Sequence, residues 1–96
     1  MKRIVAALLM TSALAYAGVN RAWDDFRFDL HAAKSALEEK KGKFSEAEFS
    51  QLSAELKDAQ GIMLESRGIS REDYYKVAKV QEERVMKVKA VADAKQ

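Results

Sequence analysis

The residues that could carry out chemistry are few and scattered. The chain has one histidine, His31, and no cysteine, which excludes thiol chemistry. Asp29 lies near His31, but closely spaced helix residues point apart, and there is no second histidine to complete a metal pair. We expect His31 to lie at the surface or at the edge of the core.

Three acids, Asp24, Asp25 and Asp29, form the densest carboxylate group in this part of the chain. Asp25 and Asp29 share a helix face, and Arg21 lies four residues before Asp25, so a salt-bridged face explains them. No calcium-binding loop, phosphate-binding loop or nucleophile motif accompanies them.

Gln81 and Arg84 are polar residues on or beside the apolar stripe of the last predicted helix. Small helical mutases place such groups inside a bundle, but two are too few for an active site. Met63 and Met86 lie in or near apolar stripes, where methionine usually fills a core. The sequence therefore predicts a protein that is not an enzyme and uses no cofactor or metal.

The first 17 residues resemble a secretory signal peptide. Lys2 and Arg3 precede an apolar run, and the Ala15–Ala17 segment has the small-x-small pattern of a cleavage site. A retained membrane anchor is the alternative, although the apolar run is shorter than the ~20 residues of a typical span. We expect cleavage before Gly18 and a periplasmic or secreted protein with no membrane contact afterwards.

Residues 18–96 form a single small domain. Removing Lys2 and Arg3 leaves fifteen basic and fifteen acidic residues, hence zero net charge and no basic stripe for nucleic acid. A domain of this size buries only ~60% of its unfolded surface and is marginal without disulfides. We therefore expect long helices stabilised by self-association, with a homodimer as one outcome, or by a protein partner.

Three helices are predicted, at about 21–41, 46–67 and 71–93. Asn20 is the expected N-cap of the first, and Gly42 its left-handed C-terminal residue. The predicted caps of the other two are Ser45 with Glu48 and Ser70 with Asp73. Apolar positions spaced three and four apart predict these core residues: Trp23, Phe26, Leu30, Leu37, Phe49, Leu52, Leu56, Met63, Tyr74, Val85 and Val88.

The short joints between the helices predict an all-α fold of three antiparallel helices, running up, down and up. A compact bundle and an elongated hairpin completed by dimerisation both satisfy this pattern. Four apolar residues lie off the main stripes: Phe28, Ile62, Leu64 and Tyr75. The core could absorb all four; otherwise they are candidate partner-binding residues.

The two helix starts resemble those of the Spy/CpxP class of periplasmic stress chaperones. The segments Phe44–Phe49 and Ile69–Tyr74 each combine an apolar residue, a hydroxyl cap and a polar third residue. The two segments carry these residues at the same relative positions, which fits either an internal duplication or two helix caps that arose independently. The resemblance implies a dimeric, concave surface that binds unfolded or envelope proteins.

The function predicted from the sequence is that of a small exported, non-enzymatic interaction protein, chaperone-like or an accessory factor of envelope stress. The alternatives are a periplasmic sensor of a small ligand or metal, and a small all-helical enzyme.

Overall fold

The computed structural model describes the backbone of residues 2–96 and the side chains of residues 21–96. The chain is all-α, as predicted, and the described backbone contains no strand. Its three helices are α1 (Lys2–Glu39), α2 (Glu46–Glu65) and α3 (Arg71–Ala94). Short 3-10 turns, Lys41–Lys43 and Ser66–Gly68, join them into a bundle.

Helix α1 begins at Lys2 rather than near residue 21, so Asn20 lies inside a helix and not at its N-cap. The predicted signal peptide, residues 1–17, and its cleavage site lie outside the residues whose side chains are described.

The end of α1 also differs from the prediction. The helix stops at Glu39, and Gly42 lies in a 3-10 turn without a positive φ. The Lys43 N–H donates to the carbonyl of Lys40 at 2.8 Å, which tightens the chain at this point. A run of i→i+3 bonds therefore replaces the left-handed glycine as the way this helix ends.

Serine side chains cap the starts of α2 and α3. The Ser45 hydroxyl accepts a hydrogen bond from the Glu48 N–H at 3.1 Å and donates one to the Glu48 carboxylate at 3.2 Å. The Ser70 hydroxyl accepts from the Asp73 N–H at 3.2 Å. Each cap satisfies a backbone donor that the helix itself leaves unpaired.

Helix α2 ends at Glu65, two residues before the predicted limit, and passes into the second 3-10 turn. The Ser66 hydroxyl donates to the carbonyl of Ile62 at 2.7 Å, which satisfies one of the last helix acceptors. Gly61 lies inside α2 with open space where a Cβ would lie, so close approach of another helix does not require this glycine.

The core is a single cluster drawn from all three helices and the first joint. Its buried apolar members are Phe26, Leu30, Ala33, Leu37, Phe44, Leu56, Ala59, Met63, Tyr74, Ala78, Val85, Val88 and Ala92. Trp23, Phe49 and Leu52, also predicted as core, are half-buried against this cluster. The cluster follows the three-four spacing of the stripes.

Helix α3 packs on both of its neighbours, and its interface with α1 is the most extensive between the described helices. The Lys40 ammonium group donates to the backbone carbonyl of Lys95, so the last turns of α1 and α3 lie together. The Lys95 ammonium lies 3.9 Å from the Glu48 carboxylate, which places the start of α2 beside the end of α3.

Candidate functional site

Arg84 forms the centre of a polar network between α2 and α3. Its Nη1 donates to Oε1 of Gln81 at 2.9 Å, and its Nη2 donates to Glu55 and Asp58, each at 2.8 Å. A fourth bond joins its Nε to Glu55 at 3.1 Å. These hydrogen bonds, to Glu55 first and then to Asp58, raise the pKa of the Arg84 guanidinium.

The network explains the polar interruption in the stripe of α3. Gln81 is buried, with 6% of its surface exposed, and Arg84 provides the partner that its side-chain oxygen needs. No buried side-chain nitrogen or oxygen within residues 21–96 lacks a hydrogen-bond partner. Glu55 and Asp58 of the same chain bind the guanidinium of Arg84, and Arg84 in turn binds Gln81.

Open grooves flank α3. One between α2 and α3 has a volume of about 560 Å³ and includes Ile62 and Arg84 in its wall. The one between α1 and α3 has a volume of about 440 Å³ and includes Tyr75 above an apolar floor of Ala22 and Ala78. Both are wide and open to solvent, unlike the enclosed clefts that usually bind small molecules.

The four candidate partner-binding residues do not share one surface. Phe28 is the most exposed large apolar side chain of the described residues, at 74%, and lies on the side of α1 opposite the buried Phe26 and Leu37. Tyr75 and Ile62 line different grooves, and Leu64 is exposed near the end of α2. The structure therefore presents several small apolar positions rather than one patch.

Other exposed apolar side chains were not among the predicted binding residues. They are Ile69, Val80, Met86 and Val91, each between 43% and 55% exposed. Two helices pack on α3 without covering Val80 and Val91.

Cationic side chains cover several aromatic rings at the edge of the core. The Arg67 guanidinium lies 5.4 Å from the centre of the Trp23 ring, and Trp23 stacks on Phe26 with 6.1 Å between ring centres. The ammonium of Lys95 lies 4.9 Å from the centre of the Phe44 ring. Such cation–π contacts stabilise these rings and cover part of their surface. Phe28 is therefore more accessible than Trp23 and Phe44.

Histidine and methionine do not assemble a metal site in the described part of the chain. His31 is exposed on α1, Met63 is buried in the core, and Met86 is exposed on α3. No group of three or more histidine, cysteine, aspartate or glutamate residues among the described residues could hold a metal ion. Among those residues, no helix has the length and apolar character needed to cross a membrane.

Comparisons with protein-family models, with curated proteins and with solved structures find no significant match.

Proposed function

We propose that this protein is a small, exported, non-enzymatic interaction protein that binds exposed apolar segments of other proteins. A chaperone-like protein, or an accessory factor of envelope stress, is the form of this function that we favour. The single observation that carries the proposal is the 74% exposure of the Phe28 side chain on an otherwise polar helix face. An exposed aromatic side chain offers a partner a large apolar area to bury, which supports a role in binding.

The bundle order that we propose is up, down, up, with α2 antiparallel to α1 and α3. The contact of Arg67 with Trp23 supports it, because it joins the end of α2 to the first described part of α1. The approach of Lys95 to Glu48 supports the same order for α2 and α3. This arrangement leaves Phe28 on the outside of the molecule.

Export to the periplasm or the extracellular space is part of the proposal and rests on the N-terminal sequence. Lys2, Arg3, the apolar run and Ala15–Ala17 have the order of a signal peptide cleaved before Gly18. The balanced charge of residues 18–96 favours a protein partner over nucleic acid. A homodimer also remains part of the proposal, supported by the small size of the domain.

The resemblance to the Spy/CpxP class also supports a chaperone-like role. It is confined to the two helix starts, where Ser45 and Ser70 act as caps. A sensor of a small ligand or metal, or a small enzyme, is the competing class. A ligand of the native state would raise the melting temperature, and a thermal shift with a metabolite or metal would favour that class.

Direct binding to an unfolded protein tests the proposal. We expect a fluorescently labelled, permanently unfolded client to show increased anisotropy with the purified protein, whereas the same client in its folded form does not. The substitution Phe28→Ser should weaken this binding about 10- to 150-fold, because burying a Phe contributes ~1.5–3 kcal/mol. Glu39→Ser, at another exposed position of α1, is the matched control and should bind like the wild type.

If the protein binds neither form of the client, the proposed function is rejected. If the wild type and Phe28→Ser bind the unfolded client equally, Phe28 is not part of the binding surface.

A further inference from the structure

A groove with a volume of about 430 Å³ lies between α1 and α2, apart from the grooves that flank α3. Leu37 of α1 and Leu56 of α2 form its apolar floor, each with 2% of its surface exposed, and the half-buried Phe49 is part of its wall. On α2 the lining extends from Phe49 to Gln60, which is ~16 Å along a helix that rises 1.5 Å per residue. The groove is therefore elongated and apolar at its base.

Cationic side chains at this groove have no acidic partner in the described part of the chain. Lys34 and Lys57 line the groove, and the Lys41 ammonium lies 5.1 Å from the centre of the Phe49 ring. The ion pairs within 4 Å among the described side chains involve none of these three lysines. Glu38 is the one acid in the lining. Three positive charges against one negative charge favour an anionic ligand over a cationic one.

The charges are unevenly distributed along the groove. The lining of α1 begins at Lys34, whereas that of α2 begins at Phe49 and reaches Lys57 two turns later. In the antiparallel order proposed above, Lys34 and Lys57 therefore lie toward the same end of the groove. Glu38 and Lys41 lie toward the other end, beside Phe49, where their opposite charges offset each other. One end of the groove thus carries the excess positive charge.

We propose that the groove between α1 and α2 binds a single-chain anionic amphiphile of the fatty-acid class, with its carboxylate between Lys34 and Lys57 and its hydrocarbon tail along the apolar floor. Ammonium groups make strong charge-assisted hydrogen bonds to carboxylates. A linear tail matches the elongated floor and removes apolar surface from water when it binds. Phe28 does not line this groove, so the proposal goes beyond the binding of unfolded proteins.

The expected affinity follows from the tail and the head separately. A fully buried methylene group strengthens binding about fourfold. Octanoate, decanoate and laurate should therefore bind with rising affinity, by up to about 15-fold for each two added methylenes. The contact of the carboxylate with each exposed lysine should contribute at most about fivefold, because water screens the pair.

Isothermal titration calorimetry with sodium decanoate, below its micelle concentration, tests the site. We expect one saturable site per chain, and an affinity about tenfold lower in the double variant Lys34→Gln with Lys57→Gln. Lys76→Gln, at an exposed lysine of α3 outside the groove, is the matched control and should bind decanoate like the wild type. Decyltrimethylammonium has the same tail and a cationic head, and it should bind the wild type more weakly than decanoate does.

A second pair of variants tests the space in the groove rather than its charge. Ser53 is half-buried in the lining, so Ser53→Phe should occupy the groove and weaken decanoate binding at least about tenfold. Ser50→Phe makes the same change at an exposed position of α2 outside the lining and should leave the affinity unchanged. If Ser53→Phe fails to fold, amide NMR shifts of the wild type locate the ligand, and they should centre on residues 34–38 and 49–60.

The absence of saturable decanoate binding would overturn the proposal. Equal affinity in the wild type and the double lysine variant would overturn it as well, as would NMR shifts centred outside the two lining segments. The assay with an unfolded client depends on Phe28 and this assay depends on the groove, so the failure of either proposal can be told from the failure of the other.

Discussion

At the scale of single residues, Arg84 has the largest set of polar partners in the described chain. It binds the buried oxygen of Gln81 and two carboxylates of α2, although 26% of its own side chain is exposed. Its ion pairs with the exposed acids contribute little in water, since such pairs are typically worth less than ~1 kcal/mol. The bond to Gln81 matters more, because a buried acceptor without a partner is costly.

We therefore predict that Arg84→Leu destabilises the protein by ~1–3 kcal/mol, the usual cost of leaving a buried polar group unpaired. Urea unfolding followed by circular dichroism measures the change. The double variant Gln81→Leu with Arg84→Leu should recover most of the loss, because it removes both the donor and the acceptor.

The control for this prediction is Lys89→Leu, which breaks a 2.8 Å ion pair with Asp93 one turn along the same helix. A pair of this kind contributes only ~0.2–0.5 kcal/mol. Equal destabilisation by Lys89→Leu and Arg84→Leu would show that Gln81 does not need its partner.

The sequence identified Gln81 and Arg84 as an interruption of an apolar stripe, but it did not identify their partners. Glu55 and Asp58 lie 29 and 26 residues before Arg84, and only the packing of α2 on α3 brings them close. Helical periodicity indicates which face is buried, but it does not determine how one helix is aligned along another.

At the scale of the helices, the starts of α2 and α3 were predictable from local chemistry, whereas the start of α1 and the ends of α1 and α2 were not. Ser45 and Ser70 each precede an acidic residue by three positions, a pattern that works within one turn and needs no tertiary contact. The helix ends depend on how the chain enters the next joint. Glycine at 42 predicted a left-handed residue, whereas the chain continues through a 3-10 turn.

The caps themselves give a prediction at this scale. Ser45→Ala and Ser70→Ala should each lower the free energy of unfolding by ~1 kcal/mol, because each leaves a backbone N–H of the first turn without its side-chain acceptor. Thermal unfolding of the two variants measures the loss, and their binding to an unfolded client should be unchanged.

Ser50→Ala is the control for the caps, since Ser50 is an exposed residue inside α2. Alanine is the better helix former there, so we expect no loss of stability. Melting temperatures of Ser45→Ala and Ser70→Ala equal to that of the wild type would show that the serines do not cap these helices.

At the scale of the whole molecule, a core drawn from three helices coexists with exposed apolar side chains. The buried cluster extends from Phe26 on α1 to Ala92 on α3, so the chain completes a core without a disulfide. Phe28 and Leu64 remain outside it. The apolar stripes predicted most of this core, but exposure depends on which faces the other helices cover, which the stripes alone do not determine.

The most direct test of the proposed function is suppression of protein aggregation. A client protein is denatured in the presence of increasing amounts of the purified protein, and light scattering is followed with time. We predict that scattering falls as the ratio approaches one protein per client, and that Phe28→Ser suppresses it less than the wild type and Glu39→Ser do. Scattering that stays unchanged at equal and excess amounts of the wild-type protein would contradict a chaperone-like interaction protein.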